Sequence, residues 1–230
     1  MFLHELVKRA NKIILEYTEP VKYLNGRGIT ESDIAQYGIG YMRIVNIKEE
    51  DTEDYRTLSQ DTYKFKLFQN KILFPIRNIL GITTGLCTRE IEKKQYNQHF
   101  LIEAKKTGAF FGLFEALPYI RKTGKVFVHE GAINAISFAK VFPNTISSLT
   151  SFLNEAQYEL LSFICDKIVV VYDDDTAGHI GVYKMKKQYG DKIIESISIG
   201  TDDSNTYLKM LGLQKFENYI KSKVPRYLQE

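Results

Sequence analysis

The sequence predicts an α/β protein: an N-terminal α+β lobe followed by a βαβ lobe built on a parallel central sheet. Three observations carry this. From Lys125 onward, short β-branched runs alternate with helical stretches, as parallel strands joined by right-handed crossovers do. Before Lys125, an amphipathic helix and a strand–turn–strand unit occur without such alternation. Two of the strand-like runs, Val126 to His129 and Ile168 to Tyr172, end abruptly in acid, at Glu130 and at Asp173-Asp174-Asp175.

Taken in order, residues 3–17 place Leu3, Leu6, Val7, Ala10, Ile13, Ile14 and Tyr17 at helical spacing. A short helix is predicted after Thr30, an N-cap ahead of Glu31 and Asp33. Residues 46–62 are acidic and weakly periodic and are read as a loop or surface insert. A strand at Ile72–Arg77, a turn through Asn78 to Gly81 and a strand at Ile82–Arg89 follow. The polar stretch 90–107 is read as irregular. Strands are then predicted near 126–129, 145–149, 168–172 and 192–199, with helices at 132–141, 154–164 and 177–189. The expected organisation is an N-terminal lobe over 1–123, a βαβ lobe over 124–210 and a helical tail over 211–230.

Composition narrows the class. A hydrophobic share of 44% and a charged share of 26% are those of a globular protein. The net charge of +3 is too small to imply a polyanionic partner, so the distribution of charge has to carry that question. No apolar run approaches the ~18 residues of a membrane span, and the N-terminus has none of the parts of a secretory signal. A cytoplasmic protein with no membrane partner is expected. Cys87 and Cys165 stand alone, which excludes a zinc ribbon and argues against a disulfide framework; no zinc is expected.

The acids at the strand ends carry the chemistry. In an open α/β sheet the crevice beyond the strand carboxyl ends is where ligands bind. Gly131 is expected to allow a tight turn into the next helix. Carboxylates gathered in that crevice repel and require a counter-charge, for which a hard divalent cation such as Mg²⁺ is suited. Taken alone, the Asp triplet reads as an acidic turn. Two such motifs on successive βα units, with Ala177-Gly178 after the second, shift the reading to function. A third acidic group, Asp202-Asp203-Ser204-Asn205, follows the strand ending at Ile199-Gly200.

Glu130-Gly131 at a strand end, then Asp173-x-Asp175, resembles the Toprim domain of topoisomerases and bacterial-type primases. Tyr23-Leu24-Asn25-Gly26-Arg27-Gly28-Ile29-Thr30, the strand pair with Lys71, Arg77, Gly81, Gly85 and Arg89, then Lys94, Asn97, Lys106 and Gly112 to Ala116 resemble the DnaG-like primase catalytic core, in order, over residues 20–210. That resemblance implies RNA-primer synthesis from ribonucleoside triphosphates on single-stranded DNA. It implies Glu130, Asp173, Asp175 and Asp203 as Mg²⁺ or Mn²⁺ ligands, the first three catalytic, with Glu130 alternatively the base accepting a hydroxyl proton. Arg27, Lys71, Arg77, Arg89, Lys94 and Lys106 would line a groove for backbone and triphosphate, although any one exposed cation is as often a solvated surface group. Tyr96 and Phe100 are stacking candidates, but with 15 Tyr and 14 Phe in the chain packing is their commoner use.

Departures from the pattern are specific. Asn134 stands where the family has Asp, Asp174 where it has Gly, and Thr176 where it often has Arg. The zinc-binding template module and any helicase part of the family have no counterpart motif. The expectation is therefore a stand-alone core of phage or mobile-element origin, assisted by a separate zinc-module protein and a replicative helicase. The alternatives are a Toprim nuclease using the same acids, or a non-catalytic, primase-derived single-stranded DNA-binding accessory. A topoisomerase needs further domains for which there is no room.

Overall fold

The computed structural model describes residues 2–42, 68–92, 96–100, 109–172, 176–190 and 194–230. Helix α1 (Phe2–Ile13) runs into a 3-10 turn at Ile14–Glu16, so the amphipathic stretch predicted as one helix breaks at Ile13. Helix α2 (Thr18–Asn25) was not predicted. Its Pro20 lies in the first turn, where a backbone N–H has no intrahelical acceptor to lose. Helix α3 (Glu31–Tyr37) starts where Thr30 foretold. Asp33 N donates to Thr30 Oγ1 at 3.3 Å and Thr30 N donates to Asp33 Oδ2 at 2.7 Å, a reciprocal capping box.

Strands β1 (Gly40–Met42), β2 (Lys71–Arg77), β3 (Thr83–Glu90) and β4 (Tyr96–Phe100) form an antiparallel sheet in that order. The β2–β3 pair matches the predicted strand–turn–strand unit closely. Strand β4 corrects the irregular reading of 90–107 over 96–100, where Tyr96 to Phe100 pair with Arg89 to Gly85; residues 93–95 and 101–107 lie outside the described residues. Its polar composition hid it, because an edge strand is held by its ladder rather than by an apolar face. The predicted insert at 46–62 lies outside the described residues. One face of the sheet, with Leu73 and Leu86, packs on Leu6, Val7 and Ala10 of α1. The approach there is close: a Cβ on Gly40 would lie 2.7 Å from the Cβ of Ala10 and 2.8 Å from its carbonyl carbon. The opposite face, with Ile72, Phe74 and Cys87, points to the rest of the molecule.

Residue 111 joins the two sheets. Phe111 bridges Ile76, and it exchanges backbone hydrogen bonds with Ser147, N–H to O distances of 3.0 and 2.9 Å. Helix α4 (Leu113–Thr123) follows. It was also unpredicted, since Pro118 lies inside it; burial of Leu113, Ala116, Leu117 and Ile120 outweighs the lost bond.

Strands β5 (Lys125–His129), β6 (Thr145–Ser147), β7 (Lys167–Val170) and β8 (Ile194–Ser196) form the expected parallel sheet, in the order β6-β5-β7-β8. Helices α5 (Ala132–Ala139), α6 (Glu155–Ile164) and α7 (Thr176–Tyr189) connect them, and α8 (Ser204–Leu211), α9 (Leu213–Lys223) and α10 (Arg226–Gln229) complete the chain. Val126, Val128, Ile168 and Val170 pack with residues of α4, α6 and α7 on one face. Phe127, Val169 and Val171 pack with residues of α5, α8, α9 and α10 on the other. Helices α5 and α7 thus leave β5 and β7 on opposite faces, which makes the crevice between those strands a topological switch point. Glu130 emerges there. A third cluster joins the lobes: Ile72, Phe74, Cys87 and Phe111 pack with Ala132, Ile133 and Ile136 of α5. Among the described residues no helix is long and apolar enough to cross a membrane.

Candidate active site

Glu130 leaves β5 directly ahead of Gly131, the N-cap of α5. Gly131 has φ −102° and ψ 143°, an extended conformation open to any residue, so the tight glycine turn expected here is not used. Nearby, Leu149 after β6 has φ 61°, a left-handed conformation that a branched residue adopts at a cost. Both line a pocket of about 340 Å³ at the switch point. Glu130, Asn134 and Asp203 contribute from the parallel-sheet lobe, and Arg27, Cys87 and Arg89 from the N-terminal lobe.

Asp203 and Arg89 are oriented from within their own lobes, and Arg27 is held from across the boundary. Asp203 caps α8, with Thr206 N donating to Oδ1 at 2.7 Å, so the carboxylate is fixed at the positive end of a helix. Arg27 Nη1 donates to Asn205 Oδ1 at 3.1 Å. Arg89, although on β3 and only 6% exposed, reaches the pocket, and its Nε donates to the Tyr23 hydroxyl. The Arg27 and Arg89 guanidinium carbons lie 5.7 and 5.6 Å from the Tyr23 ring centroid, so one aromatic ring supports both cations.

Glu130, Asp203 and Asn134 bring hard oxygen atoms to the lining of this pocket, the donor type that suits a hard divalent cation. Among the described residues of the pocket no soft ligand competes. Burial pushes the Cys87 thiol up to about 12 against the opposing pull of Arg89, so it stays protonated near neutrality. His129 is buried behind Glu130 with its ring 4.8 Å from that of Phe138. Burial pulls it down to about 3, which leaves it a neutral strand residue. Among the described residues no three His, Cys, Asp or Glu side chains gather closely enough to hold a metal by themselves. Asp173, Asp174 and Asp175 lie outside the described residues, as do Lys94 and Lys106.

Two of the expected groove residues go elsewhere. Arg77 Nη1 donates to Glu115 Oε1 at 2.6 Å and so straps β2 to α4. Burial raises the Glu115 carboxyl and the Arg77 charge pulls it back down. Lys71, two residues before Leu73 on β2, takes the side of the sheet that carries α1, away from the pocket. Sequence reasoning missed Tyr23 as the support of both arginines and Asn205 as the partner of Arg27. The sequence places Tyr23 one helical turn before Arg27, and that was the available signal.

Two family models match the chain in sequence order. One, described as the N-terminal domain of the DNA primase catalytic core, covers residues 10–116; the other, described as Toprim-like, covers residues 127–208. The chain belongs to the DnaG-type primase catalytic-core family. The DNA primase of Lactococcus lactis is 28% identical to this primase core over 212 residues, 84% of the chain and 33% of that protein. The DNA primase of Haemophilus influenzae is 25% identical over 228 residues, 89% of the chain and 38% of that protein. The core thus spans between a third and two fifths of the length of these relatives. Among solved structures, a DnaG catalytic core superimposes with a TM-score of 0.75 at 21% identity, covering 97% of this chain and 80% of that one. The Aquifex aeolicus primase, solved with its zinc-binding and RNA polymerase domains, gives 0.74 at 21% identity, covering 95% and 60%. A DnaG catalytic domain bound to single-stranded DNA gives 0.75 at 20% identity, covering 97% and 79%. At these identities the structural likeness establishes the fold, an antiparallel sheet joined to a four-stranded parallel one.

Proposed function

We propose that this chain synthesises short RNA primers from ribonucleoside triphosphates on single-stranded DNA, as a nucleotidyltransferase of the primase type. The observation that carries the reading is the single pocket in which Glu130 and Asp203 of one lobe meet Arg27 and Arg89 of the other. Residues 1–123 would serve as the nucleic-acid lobe, 124–210 as the Toprim metal lobe and 211–230 as a helical tail. Arg27 and Arg89 bind phosphate oxygens, for which the guanidinium fork is suited. Glu130, Asp203 and the Asn134 amide, together with Asp173 and Asp175, would hold Mg²⁺ or Mn²⁺. A cation bound there would supply positive charge against the phosphate groups of the nucleotide. Glu130 alternatively accepts the proton of the attacking 3′-hydroxyl. Lys71, Lys94 and Lys106 are proposed contacts to template outside the pocket, whereas the Glu115 partnership gives Arg77 a structural task as well.

Single-stranded DNA as the template is supported by a solved relative bound to it, and a zinc-module partner by the zinc-binding domain of the Aquifex aeolicus structure. A replicative helicase as a further partner, a phage or mobile-element source and a cytoplasmic setting complete the proposal.

The test is to incubate the protein with single-stranded DNA, labelled ribonucleotides and Mg²⁺ or Mn²⁺. Short RNA products should form, vanish with chelator, and fall on the order of a hundredfold or more in Glu130→Gln and Asp203→Asn. Degraded DNA in place of RNA would identify a Toprim nuclease. DNA binding with neither product would identify a non-catalytic accessory, the reading that loss of an acid at Asn134 favours.

A further inference from the structure

The amide of Asn205 is completely buried, far in sequence from the residue it serves, and engaged through both its nitrogen and its oxygen. Its Nδ2 donates to the Arg27 carbonyl oxygen at 2.6 Å and to Ser137 Oγ at 2.9 Å, while its Oδ1 accepts from Arg27 Nη1 at 3.1 Å. Ser137 spends its own proton on the Ile133 carbonyl at 2.9 Å, so its hydroxyl meets Asn205 only as an acceptor. The direction of every bond is therefore fixed. One amide grips both the backbone and the side chain of Arg27, in the N-terminal lobe, and anchors them to α5 of the Toprim lobe. The same short segment carries Asp203, two residues earlier, into the pocket.

We infer that Asn205 is a positioning residue: an interlobe clasp that holds the Arg27 guanidinium in the pocket for polyphosphate binding, and that requires an amide rather than an acid at that position. The inference rests on the reading of the pocket as a nucleotide site. Asn205 itself is shielded from any ligand and acts only through Arg27. An acid in its place would still accept from the guanidinium, but would set a carboxylate against the Arg27 carbonyl and against a hydroxyl whose proton is already used. A buried acceptor facing acceptors is unfavourable. This distinguishes residue 205 from the acids that flank the pocket, although it stands in the same Asp202-Asp203-Ser204-Asn205 group.

The probe is inorganic tripolyphosphate, whose binding needs no catalysis. Asn205→Ala should weaken that binding about tenfold, the worth of a buried charge-assisted bond. Arg27→Ala should weaken it at least as much. The double variant should lie within about twofold of Arg27→Ala alone, because both changes remove one interaction. Ser137→Ala keeps both bonds to Arg27 and should bind within about twofold of the wild type, at a lower melting temperature. In primer synthesis, Asn205→Ala should raise KM for nucleoside triphosphate with kcat little changed. Multiplying losses in the double variant, or a Ser137→Ala loss equal to that of Asn205→Ala, would overturn the clasp and leave Asn205 with packing alone. If Asn205→Ala does not fold, Asn205→Asp replaces it, and wild-type tripolyphosphate affinity in that variant would equally overturn the inference. A wild-type protein that binds tripolyphosphate but makes no primers would refute the functional reading while leaving the clasp to be decided by the affinities.

Discussion

Cys87 in the pocket wall and Cys165 at the end of α6 are both buried, and burial pushes each thiol from an ordinary 9.0 up to about 12. A raised folded value means that the folded protein keeps its thiol protons while the unfolded chain releases them. The stabilisation is therefore full below pH 9 and is lost as pH climbs from 9 toward 12, at about 1.4 kcal/mol per pH unit for each thiol. The Cys87→Ala, Cys165→Ala variant should be less stable than the wild type at pH 8 through lost packing, yet lose less further stability by pH 10. Urea midpoints at the two pH values measure this, and equal pH slopes in both proteins would refute it. The residues that sequence reading located best are those whose role depends on local position. Glu130 at a strand end and Thr30 ahead of two acids are examples. Arg77 shows the limit: its partner Glu115 is 38 residues away and is brought to it only by the fold. Arg27 and Arg89 look no different in sequence from Arg77, and only their placement against Tyr23 separates them.

At the scale of elements, Asp33 binds two helices together. Its Oδ2 closes the capping box of α3 and also accepts from Lys140 Nζ at 2.6 Å, at the C-terminal end of α5. Asp33→Ala removes the reciprocal half of the capping box, while Thr30 Oγ1 still accepts from the backbone N–H of residue 33, and it strands a half-buried ammonium. A cap alone is worth roughly 1 kcal/mol and a hydrogen-bonded buried charge more, so a loss of about 2–4 kcal/mol is expected. Lys140→Met, which removes the charge as well, should cost less than Asp33→Ala. A chemical-denaturation series on both variants checks the order, and the reverse order would show that the cap, not the pairing, is the minor part. Elements with strong local signals were legible: the βαβ alternation from Lys125 is periodic and β-branched, and its four strands fall where expected. Those that were missed share a physical reason. Helices α2 and α4 contain Pro20 and Pro118, and strand β4 is polar, so tertiary packing and ladder bonds override what the local residues prefer.

For the whole molecule, the order of the two lobes was legible but their union was not. Nothing in the sequence marks Phe111 as the residue that bridges both sheets, or α5 as a helix shared by both cores. Alternating apolar positions show which faces are buried without showing against what. The apolar cluster that crosses the lobes, the Asp33–Lys140 pair and the Asn205 bonds to Arg27 all act across the same boundary. The two lobes are therefore expected to unfold as one cooperative unit. Ile136, 1% exposed on α5, is the place to test this, because its side chain belongs to the shared cluster while its helix belongs to the parallel sheet. Ile136→Ala should cost about 2–5 kcal/mol through the cavity it leaves. If the lobes are coupled, that loss lowers a single urea midpoint with its steepness unchanged. Amide exchange at Phe74 in the antiparallel sheet and at Val128 in the parallel sheet should then speed up by the same factor. A two-step transition, or faster exchange at Val128 with Phe74 unaffected, would mean that each lobe holds itself together and that the pocket between them can open without unfolding either.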